Sequence, residues 1–429
     1  MTLGACAAFA CSDDEAPSLS EPADAGFLLA DAGPTDLGGD VGVLEDAGAA
    51  DLGAEDLGAA DTGVDAGTPD TGAPDAGPAD SGTDGGVDLR AWFANYNAGQ
   101  TTAYLEPAVA VSRSGDARYP NAAAHVHYRD AAYGPFPRNL LDAWVPTGTT
   151  AAPLVVFIHG GGFQTNSKEA IHNNARTLPG YLSSGIAVAS ISYRFAYRDP
   201  EAAIASGVPN GEGSVHDVNG ARLDYILRDC ARAVQYLRYR AADWNLDPTR
   251  IAVYGGSAGA GCSMWIAGVP DLAEPSHTDP VLRESTRVSA VGHQNGQPTY
   301  AWTRWATLLG LDAAFVQGHV QREAERLTQT RWADLGGTPE GRALEEVLDY
   351  YQHYGAGDPP LFTINQGQYV DETTTTASTQ IIHHPRAHEV IYDRCVAEGV
   401  GDCSLFTRMR TEGPDRRLPS FMERILLGP

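Results

Sequence analysis

The chain has 429 residues and a formal net charge of −26 at pH 7, yet 20 of its 55 acidic residues fall in residues 12–89, leaving 35 acids against 29 bases elsewhere. Its bases are scattered arginines, with Lys168 the only lysine, so the sequence offers no basic face suited to nucleic acid. No run of 18 apolar residues exists that would cross a membrane as a helix.

Met1 to Asp14 reads MTLGACAAFACSDD, small and apolar residues running up to a cysteine before acids begin. The stretch resembles the end of a bacterial lipoprotein signal, covering residues 1–11, although it lacks a charged leading segment and its apolar part is short. Cys11 is the preferred lipid-bearing residue, and Cys6 in Leu3-Gly4-Ala5-Cys6 is the alternative. This resemblance implies a cell-envelope or extracellular protein whose only membrane contact is an N-terminal lipid. Residues 12–89 then repeat Asp-Ala-Gly, Asp-Leu-Gly and Asp-Thr-Gly, without Lys or Arg and with Phe27 as their one aromatic. So polar a segment cannot bury enough apolar surface to offset its backbone entropy, which predicts a disordered, self-repelling spacer. Calcium loops are the alternative for Asp-rich runs, but they need a fixed ligand register that these repeats lack.

Residues 90–429 have the composition of one globular α/β domain. Residues 139–145 (NLLDAWV) predict a strand ending at Pro146, and 154–158 (LVVFI) a short strand buried on both faces. Residues 168–183 carry a helical pattern, and 186–193 (IAVASISY) predict a second buried strand. A long amphipathic helix is expected over 218–244, with Leu223, Ile226, Leu227, Ala231, Val234 and Leu237 on its apolar face. A turn at Asp247-Pro248 leads to the strand 250–254 (RIAVY). Further strands are expected at 288–291, 361–364 and 405–409, and helices at 387–398 and 419–427. Strands alternating with helices indicate a mostly parallel sheet covered on both faces. Residues 299–354, rich in Trp and helix formers, interrupt the alternation and suggest a helical cap. Cys395 and Cys403 are spaced to pair in an oxidising compartment, while Cys230 and Cys262 are expected to be ordinary buried thiols.

Two glycine motifs carry the chemistry. Gly255-Gly256-Ser257-Ala258-Gly259 lies directly after the strand RIAVY and before a helix-forming stretch. A nucleophile on a tight strand-to-helix turn needs small neighbours, and the helix N-terminus behind it favours developing negative charge. His159-Gly160-Gly161-Gly162-Phe163 follows the strand LVVFI. Its glycines leave backbone N–H groups free to face a substrate oxyanion.

With these motifs, with ISYRF at 191–195 and with LDPTRIAVYGGSAGA at 246–260, the chain resembles the α/β-hydrolase superfamily. Within it the resemblance is to esterases with a His-Gly-Gly-Gly oxyanion motif, the hormone-sensitive-lipase and bacterial carboxylesterase or feruloyl-esterase-like group. It implies Ser257 as nucleophile and the N–H groups of Ala258, Gly161 and Gly162 as oxyanion hole, with His159 structural. It implies no cofactor and a small-molecule ester as substrate, and the lack of any Cys-x-x-Cys or Cys/His ligand spacing argues against a metal site. The family pattern then departs twice. No carboxylate immediately follows the strand LFTI, Asp371 and Glu372 being the first, and no His exists beyond His388. Either the base has moved to His383 or His384, after the penultimate strand, or the triad is lost and the fold serves as a surface binding protein. Adjacent side chains in an extended segment before Pro385 point to opposite sides, so one of the two faces the serine. His384 is the choice, with Asp371 as its acid and His293 as a further candidate.

Overall fold

A computed structural model describes residues 86–94, 96, 109–113, 119, 122–174, 176–205 and 220–428. The signal-like residues 1–11 and most of the predicted spacer 12–89 lie outside the described residues. Among the described residues the strands of the sheet are β1 (Val109–Arg113), β2 (His125–Ala132), β3 (Leu140–Pro146), β4 (Ala152–Ile158), β5 (Ala187–Ile191), β6 (Leu246–Gly256), β7 (Ala290–Gln294), β8 (Leu361–Asn365), β9 (Ser404–Thr407) and β10 (Thr411–Glu412). They lie in the order β1-β2-β3-β5-β4-β6-β7-β8-β9-β10. The strands from β5 to β9 pair in parallel, whereas β1, β2, β3 and β10 add antiparallel edges.

Period-two alternation sorts the apolar strands onto two cores. Leu154, Val156 and Ile158 of β4 join a core with Ile251 and Val253 of β6, while Val155, Ala252 and Tyr254 join the other. Helices α1 (Leu89–Trp92), α2 (Thr177–Ser183), α3 (Pro200–Ala205), α4 (Leu223–Tyr239), α5 (Ala241–Trp244) and α6 (Ala258–Gly268) come from the first part of the chain. Residues 299–354 form α7 (Trp305–Leu309), α8 (Ala313–Thr328), α9 (Trp332–Gly337), α10 (Pro339–Leu348) and α11 (Tyr350–His353). They are followed by α12 (Ser378–Ile382), α13 (Arg386–Ala397) and α14 (Leu418–Leu427). One core is built on α4 and α6, and the other on α2 and α14.

Three sequence expectations are corrected. The helix expected over 168–183 is a 3-10 turn, Lys168–Asn173, followed by α2. Pro179 has no N–H to donate, so it is tolerated in the first turn of α2 but not inside one longer helix. Lys168 is also drawn into a cluster with the carboxylates of Asp130, Asp142 and Glu169. The amphipathic helix α4 is buried on its polar side as well, from Leu223 through Leu237. Its charges are paired there: Asp229 with Arg194 at 2.7 Å, Arg232 with Asp279 at 2.6 Å, and Asp224 accepting from Trp92 Nε1 at 2.8 Å. Finally, packing reaches upstream of residue 90. Leu89 is only 5% exposed, and Val87 N donates to Glu346 Oε1 of α10 at 2.6 Å.

The segment 299–354 is not a detached lid. Trp302, Trp305 and Tyr350 are buried in the α4/α6 core, Tyr300 Oη donates to the Ala258 carbonyl, and Trp265 Nε1 of α6 donates to Val347 O. The Cys395–Cys403 disulfide joins α13 to the start of β9, and Cys230 and Cys262 are buried thiols.

Candidate active site

The chain leaves β4 toward β5 on one side and leaves the adjacent β6 toward β7 on the other. Such a reversal opens a crevice at the carboxyl ends of the two strands. Both glycine motifs lie there, because the parallel register sets Ile158 opposite Gly255. Ser257 has φ 53° and ψ −120°, a left-handed, strained conformation for a residue with a side chain, and it lies between β6 and α6. Its N–H donates to the Gln294 carbonyl at the end of β7, at 2.9 Å. A Cβ on Gly259 would collide with the Ile158 carbonyl, so only glycine lets α6 start this close to β4. The first hydrogen bonds of α6 run from Ala260 and Gly261 to the Ser257 carbonyl, a pattern that leaves the Ala258 N–H unused.

The loop 159–166 is held peptide by peptide. In a trans peptide the C=O and the following N–H point in opposite directions, so fixing a carbonyl aims the next amide. Gly160 O accepts from His159 Nδ1 at 2.7 Å and from Asn166 Nδ2 at 3.3 Å, which orients the Gly161 N–H. Gly161 O accepts from Gln164 N, Thr165 N and Thr165 Oγ1, each at 3.1 Å, which orients the Gly162 N–H. Gly161 takes φ +110°, and a Cβ there would meet Thr165 Oγ1 at 2.5 Å. The His159 ring is stacked on Tyr193 with 4.2 Å between centroids, and burial pushes its pKa down to about 3. It is therefore a neutral donor that braces the loop.

The structure corrects the choice of imidazole. His383 Nε2 lies 2.8 Å from Ser257 Oγ. His384 is buried and turned away: its Nε2 donates to Val370 O at 2.9 Å, and its Nδ1 accepts from Arg386 N at 3.0 Å. Both of its nitrogens are thus spent on the backbone. The parity argument holds to the extent that one ring faces the serine, but parity cannot say which. The choice is made by α12, whose C-cap is His383. Asn365, at the end of β8, steadies that turn by donating from Nδ2 to His383 O at 3.0 Å.

The expected acid is also displaced. Asp371 is exposed, and its carboxylate accepts from the amides and hydroxyls of Thr373 and Thr374, which hold its pKa down at about 2. In place of a carboxylate, His383 Nδ1 meets the Thr379 carbonyl at 3.2 Å. A carbonyl can only accept, so the proton sits on Nδ1 and the Nε2 lone pair faces the serine hydroxyl. Burial lowers the His383 pKa, and the Thr379 carbonyl and the charge of Glu323 oppose that shift. His293 is fully buried and bonded through Nδ1 to Thr363 Oγ1, which also meets His388 Nδ1. Glu323, Thr379 and Asn365 were missed by sequence reasoning. None belongs to a local motif, and each acts from a separate element.

A family model described as BD-FAE matches residues 141–208 and 217–291, a span holding both glycine motifs. Fumonisin B1 esterase of Sphingopyxis macrogoltabida is 26% identical over 145 residues, 33% of this chain and 25% of that protein. Secreted lipase 5 of Gibberella zeae is 32% identical over 111 residues, 26% of this chain and 19% of that protein. The matches thus span a quarter or less of the length of these curated relatives. Among solved structures, the acetyl ester-xyloside bifunctional hydrolase from Caldicellulosiruptor lactoaceticus is similar at 16% identity and a TM-score of 0.43, over 62% of this chain and 77% of that one.

Proposed function

We propose that this chain is an α/β-hydrolase, a serine hydrolase of carboxylic esters working through an acyl-enzyme on Ser257. The observation that carries the reading is the 2.8 Å approach of His383 Nε2 to Ser257 Oγ at a strained strand-to-helix turn. Ser257 Oγ attacks the ester carbonyl carbon while His383 Nε2 takes the hydroxyl proton. The tetrahedral oxyanion is met by the N–H groups of Gly161, Gly162 and Ala258. Its collapse expels the alcohol, which carries off the proton held by His383. Water, deprotonated by the same imidazole, then attacks the acyl-enzyme and releases the acid.

Among the described residues, no carboxylate is hydrogen-bonded to the base. The Thr379 carbonyl performs the orienting part of the acid's task by fixing the tautomer, but its dipole stabilises an imidazolium less than a full negative charge does. Turnover slower than that of a complete triad is therefore expected. The same reading places the enzyme outside the cytoplasm, and the Cys395–Cys403 disulfide supports that location. Lipidation at Cys11 is the proposed mode of attachment, and metabolic labelling with a tagged palmitate in bacteria tests it.

A fluorophosphonate probe tests the nucleophile. Labelling of Ser257, together with hydrolysis of short p-nitrophenyl esters, is expected. Labelling that survives Ser257→Ala would overturn the assignment. Labelling without turnover would make the chain a surface binding protein instead.

A further inference from the structure

Three consecutive carbonyls of the oxyanion loop are held, and the third is held from outside. Gly160 O and Gly161 O are bonded within residues 159–166, but Gly162 O accepts at 2.6 Å from a guanidinium nitrogen of Arg326, on helix α8. The other terminal nitrogen of Arg326 donates to Tyr197 O at 2.8 Å, in the loop after β5, and its Nε donates to Glu323 Oε2 at 3.0 Å. Arg326 is 2% exposed.

A buried guanidinium is costly unless its donors are used, and here it joins three separate segments. Its planar fork reaches two carbonyls and a carboxylate at once, which an ammonium on a single stem does not do. The loop needs such a tie. Gly160, Gly161 and Gly162 have wide conformational freedom, and Gly162 sits at φ +59°. By the same peptide geometry, fixing Gly162 O aims the Phe163 N–H, so the tie acts on the Gly161 and Gly162 donors by anchoring the end of their loop, and such donors act only when they are aimed before the charge develops. Helix α8 also packs against α12, which ends at His383. One helix of the 299–354 segment therefore touches both halves of the site.

We infer that Arg326 is a positioning residue through which the seat of α8 sets the geometry of the oxyanion loop. The inference rests on the ester-hydrolase reading for its kinetic arm but not for its structural one. Arg326→Leu is expected to lower kcat at least about tenfold, short of the roughly 10²–10³-fold loss of a whole oxyanion donor, with KM within about twofold. Added guanidinium at millimolar concentration should restore part of kcat, and Arg326→Lys should fall between Leu and wild type. A purely structural role would not respond to the small cation.

Independently of turnover, amide hydrogen exchange at residues 160–163 should accelerate in Arg326→Leu. Wild-type kcat together with wild-type exchange in that loop would overturn the inference. Should Arg326→Leu not fold, Arg326→Lys carries both measurements. A wild-type protein that neither labels nor turns over would defeat the ester-hydrolase reading while leaving hydrogen exchange to decide on Arg326.

Discussion

Ser257 and the 159–163 loop stand on adjacent strands whose register, Ile158 opposite Gly255, leaves no freedom in their separation. His383 arrives on the far side of the crevice from the cap of a five-residue helix, α12, and is aimed by a single backbone carbonyl. The two halves of the site place different demands on the chain. A strained nucleophile turn and an oxyanion loop require backbone approaches that only glycine permits, so they leave a mark in the sequence. A general base requires only an imidazole nitrogen at one point in space, which any loop around the crevice can supply.

The largest expected effects separate the halves directly. Ser257→Ala should abolish probe labelling and reduce kcat by about 10⁴-fold or more, and His383→Ala by about 10³-fold or more. The His383 loss should be the smaller because, among the described residues, a carbonyl and no carboxylate meets Nδ1 of the wild-type base. Wild-type turnover in His383→Ala, measured on p-nitrophenyl esters, would break the comparison by removing the imidazole from the reaction.

His384→Ala should give the opposite result. Its ring is 3% exposed and bonded through both nitrogens, so its loss should cost on the order of 1–3 kcal/mol. Thermal melting should show a midpoint lower by a few degrees, with kcat changed only a few fold. A kinetic defect in His384→Ala as large as that of His383→Ala would return the base to the residue favoured from sequence.

The pH dependence sharpens the contrast further. Burial disfavours the His383 imidazolium, so the neutral base persists below the ordinary histidine value near 6.5, and the acid limb of kcat/KM should lie below that pH. The charge of Glu323 works against this shift. Glu323→Gln should therefore move the limb to still lower pH, and movement to higher pH would contradict the assigned electrostatics. Stability should decline over the same range. His159 and His293 are held neutral with pKa values of about 3, so the unfolded chain binds more protons as pH drops below about 6.5. Each then contributes a slope approaching about 1.4 kcal/mol per pH unit, readable by denaturant melts at stepped pH.

Asp371→Asn should have the smallest effect, with kcat within about twofold of wild type. Its carboxylate is exposed and serves the local turn through Thr373 and Thr374. A loss of tenfold or more would mean that the loop rearranges to bring an acid to the histidine.

The sequence by itself determined the central strands, the parallel sheet and the positions of the two glycine motifs at the ends of adjacent strands. Short continuous apolar runs such as LVVFI suit a strand covered on both faces, and tight backbone approaches exclude a Cβ wherever they occur. The edge strands β1 and β2 went unread, since antiparallel edges lack that apolar continuity. The burial of the polar side of α4 was equally hidden, because its cover comes from Trp92 and Tyr96, more than 120 residues upstream. The tertiary structure alone decided between His383 and His384. Alternation along the chain gives only parity, and the sign comes from the short helix α12 and from Asn365, which anchors the turn after it. It also decided that, among the described residues, no carboxylate is bonded to the imidazole, since Asp371 is near in sequence but has its Oδ1 claimed by its own turn. The tie from Arg326 to Gly162 spans 164 residues, and no local pattern in the chain records an interaction of that length.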